Sequence, residues 1–192
     1  MAYTPKDIAN IGLVKIAANL VNNLDPPKTQ LEKLIALGFD HWRDDELTQR
    51  RWVFARTYVT LTPSEVLTDT SVRRRYVYSL PVDCLYPWKT KHSTWIQYGD
   101  KLHDTESTLR LTYTRRVETS MLPPTFVEVL GCRIAKENVE AATQSNTKQA
   151  TADANYDRAV AKAGRINAYI LEVETIGTED EHSDWLTARW GC

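Results

Sequence analysis

The 192-residue chain has few of the residues that mark an exported, metal-binding or membrane protein. It has three cysteines, Cys84, Cys132 and Cys192, an odd number at wide spacing. This set forms neither a disulfide framework nor a CxxC metal pair, and it fits a reducing cytosol. No apolar run approaches the ~18 residues of a membrane span, and no apolar run follows a basic stretch at the start of the chain. We therefore expect neither a membrane segment nor a secretory signal.

The chain also lacks the residue groups that catalysis requires. Its seven glycines form neither a phosphate-binding loop nor a dinucleotide fingerprint, and its four histidines stand apart. The serines have no nucleophile-elbow context. A metal set of Asp83, Cys84, His92 and His103 can be drawn, but its spacings match no ligand pattern, and such sets are usually surface residues. We expect no enzyme activity, no cofactor and no metal.

Charge is nearly balanced overall and uneven along the chain. The formal net charge of −1 argues against a globally basic nucleic-acid binder. Residues 50–116 hold 12 Lys and Arg against 6 Asp and Glu, whereas residues 171–192 hold 6 acids against Arg189. A basic middle and an acidic end indicate charges that pair between parts of the chain or between copies. Two solvated surfaces are the equally open alternative.

Period-3.6 patterns predict helices at both ends of the chain. Thr4, Pro5 and Asp7 suit the N-cap, N1 and N3 positions of a first helix, which we expect to continue past Leu20 to Asn22. A second helix is predicted over about residues 28–49. Two more are predicted over about residues 123–143 and 146–170, the last with a small-residue face.

Between these helices the pattern changes to period 2. Four strand-like segments begin at Trp52, Tyr76, Thr94 and Leu109, with a tight hairpin at Gly99. Trp52 and Phe54 are expected to be buried where the second helix meets the strands. The sequence thus predicts an α+β fold, with a four-helix body, an inserted small antiparallel β subdomain and an extended C-terminal tail. The expected divisions are a body of residues 1–50 and 120–170, a β subdomain of 51–119, and a tail of 171–192.

Several sequence strings, taken in this order, resemble one protein family. They are IANIGLVKIA from Ile8, RDDEL from Arg43, WVFA from Trp52, YVYSLP from Tyr76, IQYGDKL from Ile96 and LPPTFVEVLGCRIAKENVEAA from Leu122. In their order and spacing, over roughly residues 8–168, they resemble the head-to-tail adaptors of tailed bacteriophages, the tail tubular protein A family. The chain departs from that family in the run Arg73-Arg74-Arg75 and in its acidic, tryptophan-bearing end.

The resemblance implies a non-enzymatic structural protein of the virion neck, made in the host bacterial cytoplasm. Such adaptors form a ring of about twelve subunits beneath the portal protein. The ring extends the channel through which genomic DNA passes without sequence-specific binding. It also provides the platform on which the tail nozzle or tail tube assembles.

Two groups of residues are expected to serve such contacts. Trp185, Leu186, Arg189 and Trp190 form a predicted portal-docking segment, because tryptophans often anchor interfaces; the alternative is a tail folded back on its own helices. Predicted contacts with neighbouring subunits or the tail are Arg73, Arg74, Arg75, Arg115 and Arg116. A different function remains open, in which the Arg- and aromatic-rich β subdomain makes the chain a monomeric single-stranded nucleic-acid-binding module. Against it, aromatics at period 2 are usually sheet core, and arginines beside strands usually protect edges.

Overall fold

The computed structural model describes residues 2–69, 73–89, 93–143 and 146–179. It confirms the predicted α+β class, with four helices and antiparallel sheets, and every strand lies between the second and third helices. The helices are α1 (Pro5–Lys15), α2 (Gln30–Gln49), α3 (Pro124–Thr143) and α4 (Asn146–Glu179). The strands are β1 (Arg56–Leu61), β2 (Glu65–Val66), β3 (Tyr76–Ser79), β4 (Cys84–Trp88), β5 (Ile96–Tyr98), β6 (Lys101–Asp104) and β7 (Leu109–Arg115). None of the described helices is both long enough and apolar enough to cross a membrane.

The first helix begins as predicted but ends earlier. Thr4 caps it in a capping box with Asp7, and Pro5 occupies its first turn. Its end at Lys15 corrects the expected continuation to Asn22. Ala17 takes a left-handed φ of 48°, and Ala18 N–H donates to the Leu13 carbonyl at 3.0 Å. This closing turn leads the chain away from the helix axis and leaves Leu20 exposed.

A buried carboxylate fixes the loop that follows. Glu32 and Thr29 form the capping box of α2, with Thr29 N–H donating to Glu32 Oε2 at 2.8 Å. The other oxygen, Oε1, accepts the backbone N–H groups of Asn22 and Asn23 at 3.0 and 3.1 Å. Lys28 N–H also donates to Oε2, at 2.8 Å. These four backbone donors stabilise the charged form and lower the pKa of Glu32 to about 2.

The chain divides into two compact units. The first comprises the described residues of Met1–Phe39 and Thr119–Cys192, and the second comprises those of Asp40–Glu118. The division falls inside α2, whereas the change in sequence periodicity placed it after residue 50. The second half of α2 groups with the strands, and Asp44, on α2, forms a 2.7 Å ion pair with Arg116, just after β7.

In the first unit, α1 and α3 cross with their backbones in direct contact. A Cβ added to Gly12 would lie 1.8 Å from the Gly131 carbonyl oxygen, and one added to Gly131 would lie 2.7 Å from the Ile8 carbonyl oxygen. The two backbones can come this close only because both positions are glycine. The crossing is surrounded by fully buried side chains, among them Ile8, Leu13, Phe126, Leu130 and Ile134.

Helices α3 and α4 run antiparallel. Lys136 pairs with Asp153 at 3.1 Å, and Glu128, two turns earlier on α3, pairs with Lys162 farther along α4 at 2.9 Å. The same register places Pro124, the first residue of α3, near Arg165. Helix α4 nevertheless continues to Glu179 rather than ending at about residue 170 as predicted. Leu171, Glu172 and Glu174 are strong helix formers and favour continuation of the helix just past residue 170.

The second unit contains two antiparallel sheets, in the strand orders β1-β7-β4 and β2-β3-β6-β5. The hairpin predicted at Gly99 is confirmed: β5 pairs with β6, and Gly99 has a φ of 61°. Strands β2 and β4 were not predicted. The two residues of β2 are too few to show a period, and Pro87 interrupts the strand pattern of β4. Residues from both sheets form one core cluster: Tyr78, Trp95, Leu102, Leu109, Leu111 and Tyr113.

The tryptophan that follows α2 is buried, as predicted. Trp52 is 3% exposed, and its Nε1–H donates to the Glu46 carbonyl at 2.8 Å. Phe54 is only half-buried, because Val53–Ala55 form a 3-10 turn rather than a strand. The two rings still contact each other, with centroids 6.0 Å apart.

Candidate functional surfaces

The predicted contact residues fall in different places. Trp185, Leu186, Arg189 and Trp190 lie outside the described residues. Arg73 and Arg75 are exposed just before β3, and Arg74 Nε donates to the Thr94 carbonyl at 2.9 Å. The docking and contact roles of all these residues stay predictions.

The two arginines at the end of β7 belong to the other sheet. Arg115 is half-buried. Arg116 is bound within its own unit, since its guanidinium pairs with Asp44 and its backbone N–H donates to the Asp83 carbonyl at 2.7 Å. The five predicted arginines therefore form two groups rather than one basic patch.

Of the metal set considered from the sequence, His92 lies outside the described residues, and the other three residues do not come together. Asp83 and Cys84 lie at the start of β4, whereas His103 lies on β6 of the other sheet, with its ring against Tyr98 at 5.1 Å. Among the described residues no group of three potential ligands comes together. Burial, and to a lesser extent the neighbouring charge of Asp83, raises the pKa of the Cys84 thiol to about 11. The thiol is therefore protonated at neutral pH and a poor nucleophile.

Four aromatic residues of the predicted β subdomain lie in the interior of the second unit. Trp52, Tyr78, Trp95 and Tyr113 are all buried. Tyr113 donates its hydroxyl hydrogen to Asp83 Oδ1 at 3.1 Å, and burial together with that carboxylate raises the pKa of Tyr113 to about 12. These rings hold the sheets together and are closed to bases.

A different set of aromatics lies on the outer face of the three-stranded sheet. In its pairing register, Tyr58 on β1 is opposite Thr112 on β7, which is opposite Trp88 on β4. Side chains two residues apart along each strand share that face. We call it the arginine–aromatic face; its members are Arg51, Arg56, Tyr58, Tyr86, Trp88 and Arg110.

Arginines stack on the rings of this face. The guanidinium carbon of Arg51 lies 4.4 Å from the centre of the Trp88 ring, and that of Arg110 lies 4.8 Å from the centre of the Tyr58 ring. Trp88 meets Tyr86 edge-to-face at 5.1 Å, and its Nε1–H donates to Thr114 Oγ1 at 2.8 Å. The alternation of Arg56 and Tyr58 along β1 was a usable signal in the sequence. Strand β4, which lies on the other side of β7, gave no such signal because the sequence did not predict it.

The first unit has a basic cleft of about 350 Å³, lined by Lys15, Glu128, Asn155, Arg158, Ala159 and Lys162. Glu128 is shared by two lysines, at 2.5 Å from Lys15 Nζ and 2.9 Å from Lys162 Nζ. Burial tends to lower the pKa of Lys15, but the pairing with Glu128 outweighs it and leaves that pKa raised. The same two lysines lower the pKa of Glu128. The cleft is thus a linked ion-pair network that ties α1, α3 and α4 together.

The last notable surface is an apolar stripe on α4. Its buried positions recur at helical spacing and pack within the unit: Ala152, Tyr156, Ala159 and Ala163. The same stripe continues onto the exposed Ile166 and Ile170, beyond the register position of the first residue of α3, and the exposed Tyr169 lies beside it. The exposed fraction of Tyr169 reaches 69%.

No protein-family model matches the chain, and no curated protein matches it.

Proposed function

We propose that this chain is a head-to-tail adaptor of tailed bacteriophages. In this role it is a structural virion protein that assembles as a ring beneath the portal protein. The ring extends the DNA channel and provides the attachment platform for the tail nozzle. Catalysis, cofactors and metals play no part in the proposed function.

The main support for the proposal is the exposed apolar stripe on the part of α4 that follows Arg165. Ile166 and Ile170 continue a helix face that is buried up to Ala163, with the exposed Tyr169 beside them, yet this stretch of α4 lies beyond the register position of Pro124, the first residue of α3. Contiguous exposed apolar side chains on a monomer mark an interaction site. A face of helical period fits a groove or a second helix. A chain that builds rings and docks on a neighbouring protein needs such a surface.

The strings that carry the family resemblance give a second, structural support. IANIGLVKIA supplies Gly12, and the string from Leu122 supplies Gly131, so the two motifs meet at the α1–α3 crossing. The motifs are therefore tied to the geometry of the first unit. Their glycines have a steric reason that is independent of the resemblance.

The test is the mass of the purified protein, measured by light scattering with and without its portal protein. We expect a ring alone or on the portal. A variant with Ile166→Ser and Ile170→Ser should lose assembly while keeping its melting temperature. Leu37→Ser is the matched control, because Leu37 is an 85% exposed leucine on α2. A wild-type chain that stays monomeric under both conditions would contradict the proposal.

A second arm tests the tail. Deleting residues 178–192 should abolish portal binding and leave thermal stability unchanged if the tail docks on the portal. If the tail instead folds back on its own helices, the melting temperature falls by several degrees. Portal binding that survives the deletion removes the tail from the mechanism.

A further inference from the structure

We propose that the arginine–aromatic face of the three-stranded sheet binds single-stranded nucleic acid. This inference is independent of the adaptor function. It uses residues of the second unit alone, and most of them differ from the aromatics and arginines that the sequence pattern indicated.

The first reason is the placement of the rings. Tyr58 is 68% exposed and Tyr86 49% exposed on the open side of the sheet, and half-buried Trp88 lies beside Tyr86. Tyr58 and Trp88 share one register row and are separated by strand β7. Strand spacing puts these two rings roughly 10 Å apart. Two ring sites on one flat sheet can each stack a base of a single strand that crosses the face.

The second reason is the charge beside the rings. Arg51 and Arg110 lie against Trp88 and Tyr58, and Arg56 precedes Tyr58 by two residues on the same face. The guanidinium group of Arg110, stacked on Tyr58, can bind phosphate oxygens through its N–H donors. Among the residues that the structure describes, no carboxylate forms an ion pair with Arg110. The Thr112 hydroxyl lies between the two ring sites and adds a neutral donor.

The third reason distinguishes single strands from duplexes. Base faces are hidden in a duplex, so stacking on Tyr58 or Trp88 requires unpaired bases. A duplex would engage the arginines alone.

Arginine and aromatic residues are also common in protein interfaces, so a protein partner is the competing occupant of this face. Binding that depends both on a stacking ring and on salt concentration indicates single-stranded nucleic acid rather than a protein partner.

The probe is fluorescein-labelled oligo-dT of about 12 nucleotides, titrated with the full chain and followed by anisotropy. We expect saturable binding that weakens as salt rises from about 50 to about 200 mM. One phosphate neutralised by Arg110 contributes about −0.7 to the slope of the logarithm of affinity against that of salt concentration, and each further phosphate contact steepens the slope by a similar amount. A duplex of equal length should bind at least about tenfold more weakly, because it gains no stacking.

Two variants and two matched controls locate the surface. Tyr58→Ser should weaken binding about tenfold at every salt concentration. Arg110→Gln should weaken binding and make the salt slope shallower by about 0.7. Tyr98→Ser and Arg75→Gln should leave both quantities unchanged, because Tyr98 is 61% exposed on the other sheet and Arg75 is exposed away from the face.

Three outcomes overturn the proposal: no saturable binding to oligo-dT, equal binding to the duplex, or equal effects of the variants and their controls. If oligo-dT does not bind while Tyr58→Ser changes the mass of the assembled protein, the face is a protein interface. Melting temperatures of all four variants verify that each is folded. The α4 stripe variant should bind oligo-dT normally, so a failed adaptor function and a failed nucleic-acid site give different results.

Discussion

Different features stabilise the interior of each of the two units. The helical unit depends on missing side chains, since Gly12 and Gly131 let two backbones touch. The sheet unit depends on large side chains, since Trp52, Tyr78 and Trp95 fill its interior. The first is therefore most sensitive to an added methyl group and the second to a removed ring.

Gly12→Ala should give the largest effect, destabilising the protein by at least about 4 kcal/mol. The new Cβ would lie 1.8 Å from a backbone oxygen, so α1 and α3 must separate and lose their buried contacts. Urea unfolding measures the loss. Hydrogen exchange should place the lost protection in α1 and α3, with β6 and β7 less affected.

The control for this variant is another helical glycine with free space around it. A Cβ at Gly164 meets nothing within 4 Å, so Gly164→Ala should stabilise α4 by about 0.5–1 kcal/mol. Equal effects of the two substitutions would show that the α1–α3 contact is looser than described.

Trp52→Ala is the counterpart in the sheet unit and should reduce stability by about 3–5 kcal/mol. The substitution removes a 3% exposed ring and the hydrogen bond from its Nε1–H to the Glu46 carbonyl. Tyr98→Ala, at an exposed position in the same unit, should change stability by less than about 0.5 kcal/mol. A loss below about 1 kcal/mol for Trp52→Ala would place that ring outside the core.

Sequence reasoning succeeded where one local rule decided the structure. Thr4, Pro5 and Asp7 start α1 through hydrogen bonds within one turn, and Gly99 forms the predicted hairpin. Such features depend on neighbouring residues, which a sequence displays.

The arginine–aromatic face could not be assembled from the sequence. It needs β4 beside β7, a pairing between distant residues that includes Pro87 and a register shift after Cys84. Likewise, the Gly12–Gly131 contact joins residues far apart in sequence, and only the fold brings them together. The exposed length of α4 follows from its register with α3, which sequence periodicity does not contain.

A smaller predicted effect is a loss of stability in acid, which should begin in the helical unit. The folded pKa of Glu32, about 2, lies below its ordinary value of 4.5, because four backbone N–H groups favour the carboxylate. Its stabilisation of the helical unit is therefore complete above about pH 4.5 and is lost as pH falls towards 2. Urea midpoints measured between these values should fall, with α2 losing protection before β7.

Glu32→Gln provides the comparison. The amide cannot accept as a charged group, so the variant should be less stable at pH 7 and lose less stability on acidification. Some acid sensitivity should remain, because the pKa values of Asp7 and Glu128 in the same unit are also lowered. Parallel pH profiles for the wild type and the variant would remove Glu32 from the acid response.

The smallest predicted effect is a gain, at the position where our expectation for α1 was wrong. Ala17 is the residue after the C-cap, and its φ of 48° is the left-handed conformation that glycine usually supplies at helix ends. The two hydrogen bonds of the closing turn, from Ala17 and Ala18 to Val14 and Leu13, hold this alanine in a conformation its Cβ disfavours.

Ala17→Gly should relieve that strain and stabilise the protein by about 0.5–1 kcal/mol, after allowing for the greater freedom of glycine in the unfolded chain. Ala18→Gly is the matched control, since Ala18 is not in the left-handed region and should lose stability on substitution. A loss for Ala17→Gly as large as that for Ala18→Gly would mean that α1 ends without the left-handed turn.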